Sequence, residues 1–176
     1  MNMEKKFELT DNFIINAFGV KLFQIKCTKS FKYAKEGDLG GYVEKDENLD
    51  QESDAWVYGN AWVYGNARVS GNAEVSGNAR VYGDARVYGN AEVYGNAEID
   101  NNNKHCGFDC FGSANRHTHA YLTKENKVEI TCGCFRGSIE EFEKRVEETH
   151  SGTIYEKQYK AIIDVIKIKF GLTDLI

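Results

Sequence analysis

The chain has 176 residues and no proline, and its 22 basic and 27 acidic side chains leave a formal net charge of −5. That length holds one or two small domains. The acidic balance argues against a protein that coats DNA or RNA, which would carry a basic stripe and a pI above about 9. No apolar run approaches the ~18 residues of a membrane helix. The N-terminal residues lack an apolar core followed by small residues, so no signal peptide is expected. The five cysteines are Cys27, Cys106, Cys110, Cys132 and Cys134. An odd number without an export signal reads as reduced thiols of a cytoplasmic protein.

Residues 1–53 are not repetitive. Short apolar clusters at 7–9, 13–15 and 22–25 precede the turn-rich run Lys35-Glu-Gly-Asp-Leu-Gly-Gly-Tyr-Val-Glu. They predict short strands that form an N-terminal β cap.

From Asp54 to about Asp100 the sequence repeats every six residues. Alanines stand at 55, 61, 67, 73, 79, 85, 91 and 97, and two positions after each comes a valine or, at 99, an isoleucine. Gly followed by Asn or Asp separates the units. In Asn-Ala-x-Val-x-Gly the Ala-x-Val-x stretch is a strand whose Ala and Val share one face. Gly-Asn and Gly-Asp tolerate the left-handed backbone of a sharp corner. A helix is excluded, since it would carry a glycine in every unit.

An inward small-x-aliphatic pair at period six resembles the hexapeptide repeats of left-handed parallel β-helix proteins. In that family three hexads close one triangular coil, which implies roughly two and two-thirds coils for 54–100. So short a rod must bury more than its lumen. Its relatives usually form trimers, so the resemblance implies a homotrimer. The lead-in Gly37-Asp-Leu-Gly-Gly-Tyr-Val-Glu, followed by Asn48-Leu and the Trp-Val-Tyr-Gly-Asn-Ala start, resembles phage and prophage proteins of unknown role, some of them classed as hexapeptide-repeat transferases.

Three hexads per coil would stack every third unit. One face then carries Trp56, Tyr58, Glu74, Ser76, Glu92 and Tyr94, and a second Trp62, Tyr64, Arg80, Tyr82, Glu98 and Asp100. The third carries Arg68, Ser70, Arg86 and Tyr88. Two readings of this charge sorting are open. Arg68 and Arg86 of one subunit meet Glu74 and Glu92 of the next, or the arginine column with Tyr88 binds an anionic, aromatic ligand such as a nucleotide.

Residues 101–176 form a third piece, an α+β module after the linker-like Asn101-Asn-Asn-Lys. A hairpin is predicted at 117–123 and 127–132. Ser138-Ile-Glu-Glu reads as a capping box opening a helix to about Thr149, with Ile139, Phe142 and Val146 on one face. Thr153-Ile-Tyr-Glu reads as a second box, opening a helix to about Phe170 with Gly171 as its stop. The run Cys132-Gly-Cys-Phe-Arg-Gly-Ser-Ile-Glu-Glu-Phe resembles a small C-terminal module of Firmicute phage proteins.

Three chemistries compete for the side chains of this piece. Arg116, His117, His119, Tyr121 and Arg136 gather on and around the hairpin, with His117, His119 and Tyr121 on one strand face. That set suits a phosphate-bearing ligand, or a solvated polar face. Cys106, Cys110, Cys132 and Cys134, with His105, have four thiolates to offer zinc, but not at Cys-x-x-Cys spacing. Hexapeptide-repeat acyltransferases use a histidine base at the subunit cleft, and here no histidine precedes His105.

The whole reads as a mainly β, non-catalytic phage-type protein of the infected host's cytoplasm, without a cofactor. It is expected to act in counter-defence as a homotrimer that sequesters a small anionic, nucleotide-like ligand, with no direct nucleic-acid or membrane binding. The rivals are a protein inhibitor of a host defence nuclease, acting through its acidic face, and an acyltransferase.

Overall fold

The computed structural model describes residues 5–172. The outer ends of the expected β cap and C-terminal module lie outside the described residues. The chain divides into two compact units, Met1–Asn102 and Asn103–Ile176. Among the described residues no helix is long and apolar enough to cross a membrane.

The first unit opens with β1 (Phe7–Ile15), β2 (Lys21–Cys27) and β3 (Leu39–Val43), paired antiparallel in that order. Eight two-residue strands follow: β4 (Trp56–Val57), β5 (Trp62–Val63), β6 (Arg68–Val69), β7 (Glu74–Val75), β8 (Arg80–Val81), β9 (Arg86–Val87), β10 (Glu92–Val93) and β11 (Glu98–Ile99). They stack in parallel as β4-β7-β10, β5-β8-β11 and β6-β9, so three hexads make one coil. The protein is mainly β, a solenoid of about three turns with two helices near its C-terminus. Every repeat alanine and its valine or isoleucine is at most 3% exposed, which makes the lumen a dry core of small and branched side chains.

Strand hydrogen bonds run from coil to coil, as in Trp56 N–H to the Ala73 carbonyl (3.0 Å) and Tyr58 N–H to that of Val75 (2.8 Å). The corners explain the choice of Asn and Asp. Asn66 donates to Asp84 (3.1 Å), Asn72 to Asn90 (2.9 Å) and Asn78 to Asn96 (3.4 Å), giving each corner a side-chain ladder.

Stacking begins before Asp54. Val43 lies beside Val63 and Leu49 beside Val69, each 20 residues apart, whereas Val57 and Val75 are separated by 18. The two extra residues fall between Leu49 and Val57. Asn48, fully buried, joins this first partial coil to the next by donating to the carbonyls of Gly65 (3.2 Å) and Ala67 (2.9 Å). Gly40 and Gly41 must be glycines, because a Cβ on either would come within 2.6–2.7 Å of the carbonyl oxygens of Val57 and Ala61. Trp56 belongs to this cap: it is 1% exposed, with Phe7 and Phe31 edge-on to its ring. Lys6 is buried as well, and its ammonium donates to the carbonyls of Ser53 (2.7 Å) and Ala55 (2.8 Å).

The second unit is a four-stranded antiparallel meander: β12 (His105–Phe111), β13 (Arg116–Leu122), β14 (Val128–Cys132) and β15 (Phe135–Gly137). The helices α1 (Ile139–His150) and α2 (Ile154–Lys169) follow. One face of the sheet, through Ala120, Ile130 and Cys132, forms a core with Phe142 and Val146 of α1 and Tyr159, Ile162, Ile163 and Ile166 of α2. Ser138 and Glu141 complete the capping box at α1. The second box is only half formed. Thr153 accepts from Glu156 N–H, but the Glu156 carboxylate accepts from Gly152 N–H (2.7 Å), because Thr153 N–H already donates to the His150 carbonyl (3.0 Å). Gly171, at φ +67°, ends α2, with Leu172 N–H reaching back to the Lys167 carbonyl (2.8 Å).

Two predictions test this architecture. Gly59 and Gly71 both have positive φ, but a Cβ at Gly59 meets nothing within 4 Å, while one at Gly71 comes 2.9 Å from the Gly89 nitrogen. In urea unfolding, Gly59→Ala should cost about 1–2 kcal/mol, the left-handed penalty alone. Gly71→Ala should cost at least about 1 kcal/mol more, from overpacking. The second concerns Lys6, whose pKa burial lowers from 10.5 to about 8. Between those values the unfolded chain holds the extra proton, so Lys6 by itself contributes stability that rises with pH from about 8 to 10, opposed above about 9 by Cys27 and Cys106, whose pKa values burial raises. The parent's advantage over Lys6→Met in urea midpoints should therefore grow with pH across that window. Above pH 10 the sign reverses, because burial raises the pKa values of Tyr58, Tyr82 and Tyr94.

Candidate functional site

The stacked coils turn a sequence period into columns. Arg68 and Arg86 are register partners, one coil apart at about 4.8 Å. Both are exposed, and neither guanidinium has a hydrogen-bond or ion-pair partner among the described residues. Tyr88 stands beside them, 66% exposed. The three line a groove of about 590 Å³ together with four carboxylate residues, Asp46, Glu47, Asp50 and Glu52. Asp46 is already paired with Lys5 (2.6 Å), and Asp50 accepts from Glu52 N–H (3.2 Å).

The other two faces consume their charges differently. Arg80 lies over the Trp62 ring at 4.4 Å, and below it Tyr64 and Tyr82 stack at 5.0 Å and 3°. Tyr82 donates to Glu98 (2.9 Å). Glu74 and Glu92 are register partners flanked by Tyr58 and Tyr94, whose pKa values are raised by burial first and by these carboxylates second.

In the second unit, strand alternation divides the five hairpin residues. His117, His119 and Tyr121 share the face of β13 away from the helices, with neighbouring ring centroids 5.8 and 5.6 Å apart. Arg136 is opposite Thr131, itself opposite His119, so it shares that face. Its guanidinium grips Glu129 through Nε (3.1 Å) and Nη2 (3.0 Å), and Tyr121 donates to the same carboxylate (3.1 Å). His119 and Tyr121 are buried at 1% and 0% exposure. These side chains therefore form an internal polar network.

Arg116 does not join them. It has the parity of Thr118 and Ala120 and lines a cleft on the helix side with Phe142 and Tyr159. Within one chain Arg116 thus stands apart from the other four, since adjacent residues of a strand face opposite ways.

β12 was not expected, and it supplies two partners that the hairpin alone does not reveal. His105 Nδ1 lies 3.0 Å from His119 Nε2, and Asp109 lies 2.7 Å from His117 Nδ1. The alternation His105-x-Gly107-x-Asp109 was the available signal, obscured by the surrounding Asn and Gly residues. Gly107 is small because the His117 ring occupies the place of its Cβ. As for the thiols, Cys132 is buried, Cys106 is half-buried, and Cys110 and Cys134 are exposed. Among the described residues no three His, Cys, Asp or Glu side chains come together as a metal-binding group.

With the coils in place, comparison with known families adds one finding. Residues 61–77 and 73–89 match the YdcK beta-solenoid repeat. These repeats are similar to that family's. The matched stretches span β5 to β9, and the likeness supports a repeat β-solenoid protein. No curated protein is similar enough to this chain to count as a match.

If Arg136 serves the network, its loss should be felt without any ligand. Arg136→Ala is expected to lower stability by about 1 kcal/mol in denaturant unfolding. Unchanged stability would show that the Arg136–Glu129 contact does not hold this face together.

Proposed function

We propose that this protein is a non-catalytic binding protein whose solenoid takes up a small anionic ligand on the Arg68–Arg86 column. The observation that carries this reading is the pair itself. Two exposed guanidinium groups are held one above the other with no counter-charge bonded to either. Such stacking is mildly repulsive in water and becomes favourable when a phosphate or carboxylate bridges the forks. Tyr88 adds an exposed ring on which a base can stack, so a nucleotide-like anion is the ligand class that fits. All four histidines, at 105, 117, 119 and 150, lie in the C-terminal unit, which speaks against an imidazole base at a coil cleft. The resemblance of the lead-in to phage proteins favours counter-defence in a host cytoplasm as the setting, with a homotrimer as the assembly.

A second reading uses the same column. Coils stack at one spacing on every face, so the Arg68–Arg86 and Glu74–Glu92 columns match in pitch. The arginines of one copy then fit the glutamates of another, as a seam of the trimer.

Native mass spectrometry of the protein taken gently from cells separates the two, followed by calorimetric titration with adenosine 5′-monophosphate. Ligand capture predicts a co-purified mass of nucleotide size or measurable binding. Either should weaken about tenfold or more in the Arg68→Ala/Arg86→Ala chain while the subunit count is kept. A double variant that falls to monomers supports the seam. If the double variant matches the parent in both mass and binding, neither role of the column stands.

A further inference from the structure

The C-terminal unit contains a second cationic feature that the arginine column does not account for. A cleft of about 240 Å³ opens between α1, the start of β13 and the turn joining β14 to β15. Its floor is apolar, made by Phe135, Phe142, Val146 and the ring of Tyr159. Arg116 and Arg145 line it, with Thr149 and His150 beside them. Among the described residues no carboxylate lines this cleft. In a chain of net charge −5 that is a local reversal, because the neighbouring clefts on this unit are lined by Glu141 and Glu148, or by Glu140, Glu143, Glu147 and Asp164.

The polar groups are placed rather than loose. Arg116 lies across the turn where Gly133 stands, and a Cβ there would come within 2.6 Å of its Nη1. That glycine, at φ +59°, makes the tight turn and leaves the guanidinium its place. No hydrogen bond or ion pair occupies the Arg116 guanidinium among the described residues. Among the described residues Arg145 makes only a long 3.9 Å contact, to Glu148. His150 is stacked on Tyr159 at 5.5 Å and 27°, which fixes its ring beside the cleft. Two cationic forks over an aromatic floor discriminate by charge and by shape together.

We propose that this cleft binds a small organic oxyanion, a phosphate ester or carboxylate carrying one aromatic ring. The anionic group sits between Arg116 and Arg145, and the ring lies against Phe135, Phe142 and Tyr159. Its size suits a single ring with its anionic group and is below that of the usual drug-sized pocket, about 300–1,000 Å³. The site is separate from the Arg68–Arg86 column and does not depend on it.

The test uses the full chain in calorimetric titrations with phenyl phosphate, benzoate, inorganic phosphate and benzyl alcohol. Phenyl phosphate or benzoate should bind, benzyl alcohol should not, and inorganic phosphate should bind more weakly because it leaves the floor uncovered. Whichever of the two aromatic anions binds tells the ester from the carboxylate. Arg116→Ala and Arg145→Ala should each weaken that binding about tenfold or more, while Arg68→Ala/Arg86→Ala should leave it unchanged. Cys134, exposed where it lines the cleft, gives a second readout. Saturating ligand should slow its alkylation, read by peptide mass spectrometry, without slowing that of the exposed Cys110. The proposal is overturned if neither aromatic anion binds, or if binding survives both cleft variants. Loss of binding in the solenoid variant instead, or equal affinity for inorganic phosphate, overturns it too.

Discussion

A coil of this solenoid has to turn three corners in 18 residues, and each corner has two residues in which to do it. Glycine meets that demand because its φ at the corners, +55° to +71°, lies in the region where a Cβ is penalised. Close stacking makes the demand stricter, since the corner backbones of successive coils lie against one another at Gly71 and Gly89. The Asn and Asp that come next turn each corner into a hydrogen-bonded ladder. Once corner and period are set, the lumen fills with Ala and Val by alternation, and every third hexad shares a face.

That geometry governs what the outer surface offers. Residues 18 apart in sequence become neighbours, so like charges sit over like charges unless something else intervenes. In the Trp62–Arg80–Glu98 column unlike groups meet instead, the guanidinium lying over the indole and Glu98 accepting from Tyr82. At Arg68 and Arg86 nothing intervenes, and the column is left presenting two forks in line. The same constraint that makes the fold simple thus places a pair of guanidinium groups at fixed pitch.

The C-terminal unit follows a different rule with a similar outcome. Alternation along β13 sends His117, His119 and Tyr121 to one side and Arg116, Thr118 and Ala120 to the other. The first set is consumed in an internal network with Glu129, Arg136, His105 and Asp109. The second meets the helices, where Arg116 is left at the edge of an apolar cleft. Two cationic features thus arise in one acidic chain, the Arg68–Arg86 pair and Arg116, whose guanidinium groups no carboxylate bonds among the described residues.

The solenoid was readable from residue order because its information is local: six-residue period, glycine corners and inward Ala-Val pairs all lie within one unit. The face columns followed by arithmetic, and so did the α1 capping box, whose partners are three residues apart. Other features needed the folded chain because their partners are distant or their geometry is shared. The first partial coil through Val43 and Leu49 breaks the 18-residue spacing, so no repeat marks it. β12 is held by register with β13 across a turn rich in Gly and Asn, where propensity is silent. Arg116 neighbours His117 in sequence, and only the pairing of strands and the packing of helices on one face put it on the other side. By itself the sequence determined the coil and its columns, because repetition encodes its own contacts. Which side chains are spent on one another and which remain to meet a partner was decided by tertiary structure, through contacts between residues that the chain keeps far apart.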